Sequence, residues 1–87
     1  MPRNQHNTCT EDPVVVKVGE DFDWVTNARK CHVHMLKHNL LDSDDYDVVK
    51  GTPTPAKVKG PAGQYEFTCK CEGKSSPRTN PHIIVNP

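Results

Sequence analysis

The sequence predicts an all-β chain: a Greek-key β-sandwich of six or seven short strands, with room for one short helix or turn near residues 35–45. Three observations carry that expectation. Val outnumbers Leu ten to three, and β-branched and aromatic side chains fit a pleated, half-buried surface while the main helix formers are scarce. Eight prolines cut the 87 residues into pieces too short for long helices. Several of those pieces alternate bulky and polar residues with a period of two, the pattern of a strand with one buried face.

In chain order, residues 1–12 are polar and unpatterned. They are expected to form a flexible N-terminal arm, which Cys9 could anchor, ahead of a single domain at residues 13–87. Val14–Val18 reads as a strand, Gly19–Asp21 as a turn, and Phe22–Val25 as a second strand. After a turn at Thr26–Ala28, Lys30–Leu36 alternates again, with Cys31, Val33 and Met35 on one face and His32 and His34 on the other. A helix over 28–41 is the competing reading, because Val33, Leu36, Leu40 and Leu41 also fall on a helical stripe; the His-Val-His alternation favours the strand. Leu40–Val49 reads as a loop leading into a short strand at Asp47–Lys50, and Thr52–Pro55 as a stiff extended linker. Ala56–Lys59 suits an edge strand, its lysines discouraging pairing with other chains. Gly60-Pro61-Ala62-Gly63 is a turn. Gln64–Cys71 is the clearest strand, with Tyr65, Phe67, Cys69 and Cys71 on one face. A Gly/Ser/Pro loop over 72–81 precedes a last strand at His82–Val85.

A chain of this size buries roughly 60–65% of the surface its unfolded form exposes, enough for one thin core. Mean hydropathy is −0.75 and the hydrophobic fraction 33%, but the apolar residues are clustered rather than diluted, unlike those of a disordered chain. Eleven basic and eleven acidic residues balance. Residues 50–78 lean basic and 42–47 acidic, which reads as ordinary patchiness rather than a nucleic-acid-binding face. No apolar run approaches a membrane span. The polar start Met1-Pro2-Arg3-Asn4-Gln5 lacks the apolar stretch of a leader; the chain as written is expected in the cytoplasm, or in the periplasm or secreted if a leader has been removed.

Two stretches resemble the cupredoxin family, the small copper β-sandwiches of the plastocyanin and azurin kind. Val16-Lys17-Val18-Gly19-Glu20-Asp21-Phe22-Asp23-Trp24-Val25-Thr26-Asn27 is similar to that family's strand, glycine turn, aromatic strand and terminal Asn, and a His-x-hydrophobic step follows within His32-Val33-His34-Met35. Gly63-Gln64-Tyr65-Glu66-Phe67-Thr68-Cys69 is similar to the run that ends at the family's copper cysteine, and Ile83-Ile84-Val85 closes the pattern. The resemblance spans residues 14–85 in order. It implies a copper site of two His, one Cys and a weak axial Met, since imidazole and thiolate suit copper. Here the first His would be His32 or His34 and the thiolate Cys69. The second His and the Met expected shortly after the Cys are missing from Lys70-Cys71-Glu72-Gly73-Lys74; His82 is the next His, and Met35 is far from the axial place in sequence. The resemblance therefore implies the fold without an intact type 1 site.

Two readings of the cysteines stay open. In an oxidising compartment four Cys make two disulfides in one of three pairings; Cys69 and Cys71, too close in sequence to bridge each other, would take Cys31 and Cys9. In a reducing one they would be thiols. A soft-metal site built on His34, Cys69 and His82, with His32, Cys31 and Cys71 as alternative ligands, is the sharper alternative, holding copper or zinc; no cofactor is otherwise expected. Asp42-Ser43-Asp44-Asp45-Tyr46-Asp47 fails as a calcium loop, because the sixth and twelfth positions are Asp47 and Pro53 rather than Gly and Glu. No phosphate-binding glycine loop exists, and Ser43, Ser75 and Ser76 lack a nucleophile context. The expected role is a non-catalytic structural or binding module, monomeric, open to a protein partner, with no nucleic acid and no membrane insertion. The alternatives are a metal-handling protein and a surface-exposed interaction domain.

Overall fold

The computed structural model describes residues 4–73 and 79–87; among these it has eight strands and no helix. They are β1 (Asn4–Asn7), β2 (Val14–Lys17), β3 (Asp21–Val25), β4 (Lys30–Met35), β5 (Asp45–Val49), β6 (Thr54–Lys57), β7 (Gly63–Cys71) and β8 (His82–Asn86). One sheet has the order β1-β3-β6 and the other β2-β8-β7-β4-β5. β1 runs parallel to β3 and β2 parallel to β8; the other pairs are antiparallel. The chain thus crosses repeatedly between the sheets, the two-layer β architecture the composition predicts. No helix among the described residues is long and apolar enough to cross a membrane. Residues 1–3 of the expected arm and 74–78 of the expected 72–81 loop lie outside the described residues.

The core forms because alternate residues of each strand point inward. Val14 and Val16, Phe22 and Trp24, Cys31, Val33 and Met35, and Ile83 and Val85 are all buried, while their neighbours face outward. Trp24 joins the sheets: its ring lies 5.1 Å from Phe22 on its own strand, and 5.6 Å and 6.3 Å from Phe67 of β7 and Tyr46 of β5.

β4 is a strand, not part of a helix over 28–41. It takes hydrogen bonds from both neighbours, pairing β5 through Lys30↔Val49 and β7 through Cys31↔Cys71, and a helix would leave both partners with unpaired edges. The apparent helical stripe is split: Leu36 is exposed, while Leu40 and Leu41 are buried from the turn that follows. That turn, rather than a helix, fills residues 36–44. It packs against Gly60, where a β-carbon would fall 2.6 Å from Leu40 Cδ1 and 3.1 Å from Leu40 Cα, so the close approach requires glycine.

Other differences are local. Residues 4–7, inside the segment expected as a flexible arm, form β1. This strand has no apolar alternation of its own and is held by its pairing with β3 and by the His6 ring, edge-on to Phe22 at 5.2 Å. β5 begins at Asp45 rather than Asp47, because Tyr46 pairs with Val33 and is buried with it. β6 takes in Thr54 and Pro55 of the expected linker. It is an edge strand, where a residue without an N–H is tolerated.

Candidate functional site

In the register of β4 and β7, Cys31 stands opposite Cys71 and Val33 opposite Cys69. The odd positions of both strands share the inner face, so all three cysteines are buried. Thr8, just after β1, donates its N–H to Val25 O at 2.9 Å and carries Cys9 to the same place. Two disulfides result: Cys9–Cys69, with Cα atoms 5.4 Å apart, and Cys31–Cys71, with Cα atoms 4.0 Å apart. This resolves the sequence alternatives in favour of bonds outside the Cys-x-Cys pair.

The two bonds touch. Cys71 Sγ lies 3.2 Å from Cys9 Sγ, and the sulfurs of Cys9, Cys69 and Cys71 are all within 4.8 Å of one another. A disulfide sulfur carries neither a proton nor a thiolate charge, and the thiolate is the metal ligand. The approach is therefore a contact and not a hydrogen bond, and the cluster offers no soft ligand while both bonds stand. Thr26 supports it from one side, its hydroxyl 3.1 Å from Cys31 Sγ while its oxygen accepts the Ala28 N–H at 3.0 Å.

The histidines lie elsewhere. His34 pairs with Thr68, one residue along β7 from Cys69, and so occupies the opposite face of the sheet. His82 pairs with Glu66, again on the outer face, with Nε2 3.5 Å from Glu66 Oε1 and Nδ1 3.7 Å from Asp12 Oδ1. The structure does not bring His34, Cys69 and His82 together. Of the alternative ligands, it unites Cys31 and Cys71 and leaves His32 outside. With Cys69 bonded and the imidazoles across the sheet, these residues do not fit a type 1 copper site.

A groove of about 280 Å³ opens beside the Cys31–Cys71 bond, with Lys30, Lys70, His32 and Asp47 among its walls. A smaller cavity of about 50 Å³ is lined by Cys9 and Cys71 but not by Cys69.

The outer face of β4 and β5 carries a ladder that the sequence reading missed. His32 pairs with Asp47 and His34 with Asp45. His32 Nδ1 is 2.9 Å from Asp47 Oδ1 and its Nε2 is 3.0 Å from Asp45 Oδ1, which also meets His34 Nδ1 at 2.7 Å. Only the imidazolium, with both ring N–H groups donating, satisfies a carboxylate on each side. The Asp47 hydrogen bond is the main cause of a His32 pKa raised above 6.5, opposed by partial burial and helped by Asp45. Asp45 is held below its ordinary value chiefly by His34 and then by His32. Asp47 is lowered chiefly by His32, with Lys30 adding to it, and Asp44 by His38. Lys70 of β7 stands beside His32. The spacing of His32-x-His34 and Asp45-x-Asp47 was the available signal, but it becomes a ladder only once the two segments are known to pair.

The raised His32 pKa stabilises the fold fully below 6.5 and loses that effect as pH rises through the folded value. The lowered Asp45 and Asp47 values stabilise it above 3.8 and lose that effect as pH falls through theirs. The ladder therefore contributes most between 3.8 and 6.5. His32→Gln is expected to be less stable than the parent inside that window and to converge with it on the alkaline side, as read by urea unfolding across pH. A stability gap that does not change with pH refutes the ladder.

No protein-family model matches the chain, and no curated protein matches it in sequence. Solved structures do match. A proline-to-glycine mutant of amicyanin in its reduced Cu(I) form at pH 4 superposes with a TM-score of 0.63 at 20% identity, covering 97% of this chain and 82% of that one. A reduced-state amicyanin mutant and an oxidized one each give a TM-score of 0.65 at 17% identity, with the same 97% and 82% coverage. At such identity the likeness concerns the fold, and the fold of this chain is cupredoxin-like.

Proposed function

We propose that this chain is a non-catalytic structural or binding module on a cupredoxin-like frame, held by two disulfides and without type 1 copper in its oxidised state. The observation that carries this reading is the state of Cys69. The sulfur that the resemblance assigns to copper is bonded to Cys9, and its face of the sheet presents no imidazole. Paired disulfides persist in non-reducing compartments, so we place the protein in the periplasm or outside the cell.

Thiol titration of the native protein is expected to find no free thiol before reduction, and added Cu(II) should give no visible thiolate-to-copper charge-transfer band. An intense band from unreduced protein, lost in Cys69→Ser, overturns the reading. A second reading, metal handling, is favoured by the convergence of Cys9, Cys69 and Cys71 within 4.8 Å. Reduction would turn these sulfurs into thiolates suited to Cu(I) or zinc. Stoichiometric uptake of either ion by the reduced protein, with none by the oxidised form, would support it.

A further inference from the structure

The four sulfurs lie in a line of bonds and contact: Cys31 bonded to Cys71, Cys71 touching Cys9, and Cys9 bonded to Cys69. The 3.2 Å contact between Cys71 Sγ and Cys9 Sγ falls in the range of about 3–3.5 Å at which reacting atoms are poised. The contact joins two separate disulfides, so a thiolate generated at Cys71 already faces the sulfur of another bond. Access is unequal. The groove of about 280 Å³ reaches both sulfurs of one bond, Cys31 and Cys71, whereas the cavity of about 50 Å³ reaches the other bond through the half-buried Cys9 alone and not through Cys69. The groove wall carries Lys30 and Lys70 together with Asp47 and Glu72, so its charges balance and leave a dithiol reductant free to approach. Cys9 sits in the left-handed region at φ 64°, unusual for a residue with a β-carbon, and its neighbour Thr8 is pinned to β3 by a backbone hydrogen bond, so Cys9 stays beside Cys71 when one bond opens.

We propose that the two disulfides form one exchange unit that answers to a dithiol reductant entering over Cys31–Cys71. In the first step the dithiol reduces that bond, leaving thiols at Cys31 and Cys71, and is itself oxidised to a disulfide. In the second, Cys71 loses its proton to solvent and its thiolate attacks Cys9 Sγ. The Cys9–Cys71 bond forms, the Cys9–Cys69 bond breaks, and its electron pair leaves on Cys69, which takes up a proton. The sum is one dithiol oxidised and one protein disulfide reduced. The surviving bond has moved, and the segment after β1 has changed its tether from Cys69 to Cys71. The exchange goes beyond the structural reading above and uses no metal.

The test is limited reduction of the native protein with one equivalent of dithiothreitol, acid quenching, alkylation and peptide mapping. The expected one-disulfide species carries Cys9–Cys71, with label on Cys31 and Cys69. Label on Cys31 and Cys71 with Cys9–Cys69 intact overturns the proposal. So does a spread that includes Cys9–Cys31, which marks scrambling through the unfolded chain. Cys31→Ser provides a second measurement, because it leaves a Cys71 thiol without any reductant. Label is then expected to divide between Cys69 and Cys71; label on Cys71 alone refutes the exchange.

Discussion

Removal of the Cys9–Cys69 bond in a Cys9→Ala/Cys69→Ala variant is expected to lower the melting temperature by roughly 15–30 °C, from a loss of about 4 kcal/mol and a shift of about 4–8 °C per kcal/mol in a domain this small. The size of the loss follows from the span. The bond joins positions 60 apart in sequence, and even with Cys31–Cys71 shortening the path to roughly 25 residues, closing that loop removes much of the unfolded chain's freedom. A chain of 87 residues has a total stability of only about 4–13 kcal/mol, so one bond decides a large share of it. Alanine is the replacement because Cys69 is buried and a serine hydroxyl there would add a desolvation cost of its own. Scanning calorimetry of the variant and parent, both with Cys31–Cys71 intact, measures the shift. A drop of only a few degrees would mean that the unfolded chain gains little freedom when the bond is removed, against the loop-closure account.

Trp24→Ala is expected to cost about 3–5 kcal/mol, the range for deleting a large aromatic from a packed core. Trp24 is fully buried and contacts aromatic rings on three strands, two of them in the opposite sheet. Its truncation opens a void between the layers that neither sheet can close without moving. The indole N–H has no hydrogen-bond partner among the described residues, so the loss is one of packing alone. Trp24→Phe, which keeps most of the contact, should cost clearly less. Urea unfolding followed by circular dichroism measures both variants. In the parent, the emission of this single tryptophan should shift to the red as the core opens. Equal stability of Trp24→Ala and the parent would place the ring outside the core.

What could be read in advance depended on whether one strand carried its own signal. β7 did, since Tyr65, Phe67, Cys69 and Cys71 alternate with polar residues; Phe67, Cys69 and Cys71 are buried and Tyr65 half-buried. β4 did so less clearly, because Val33, Leu36, Leu40 and Leu41 also satisfy a helical period. The partners on β5 and β7 settled it. β1 carried no signal, because Asn4-Gln5-His6-Asn7 has no apolar face and becomes a strand only where β3 offers an edge. The acidic stretch read as a loop contributes Asp45 and Asp47 to β5 for a similar reason: their meaning depends on the histidines of the neighbouring strand.

By itself, the sequence determined the all-β class, the inward positions of β4 and β7, and the exclusion of a bond between Cys69 and Cys71, because alternation and chain reach are local properties that nearby residues impose. Only the tertiary structure decided which cysteine meets which, that the two bonds touch, and that His32, His34 and His82 lie across the sheet from Cys69. Those outcomes depend on strand register, and register is set by the packing of segments far apart in the chain.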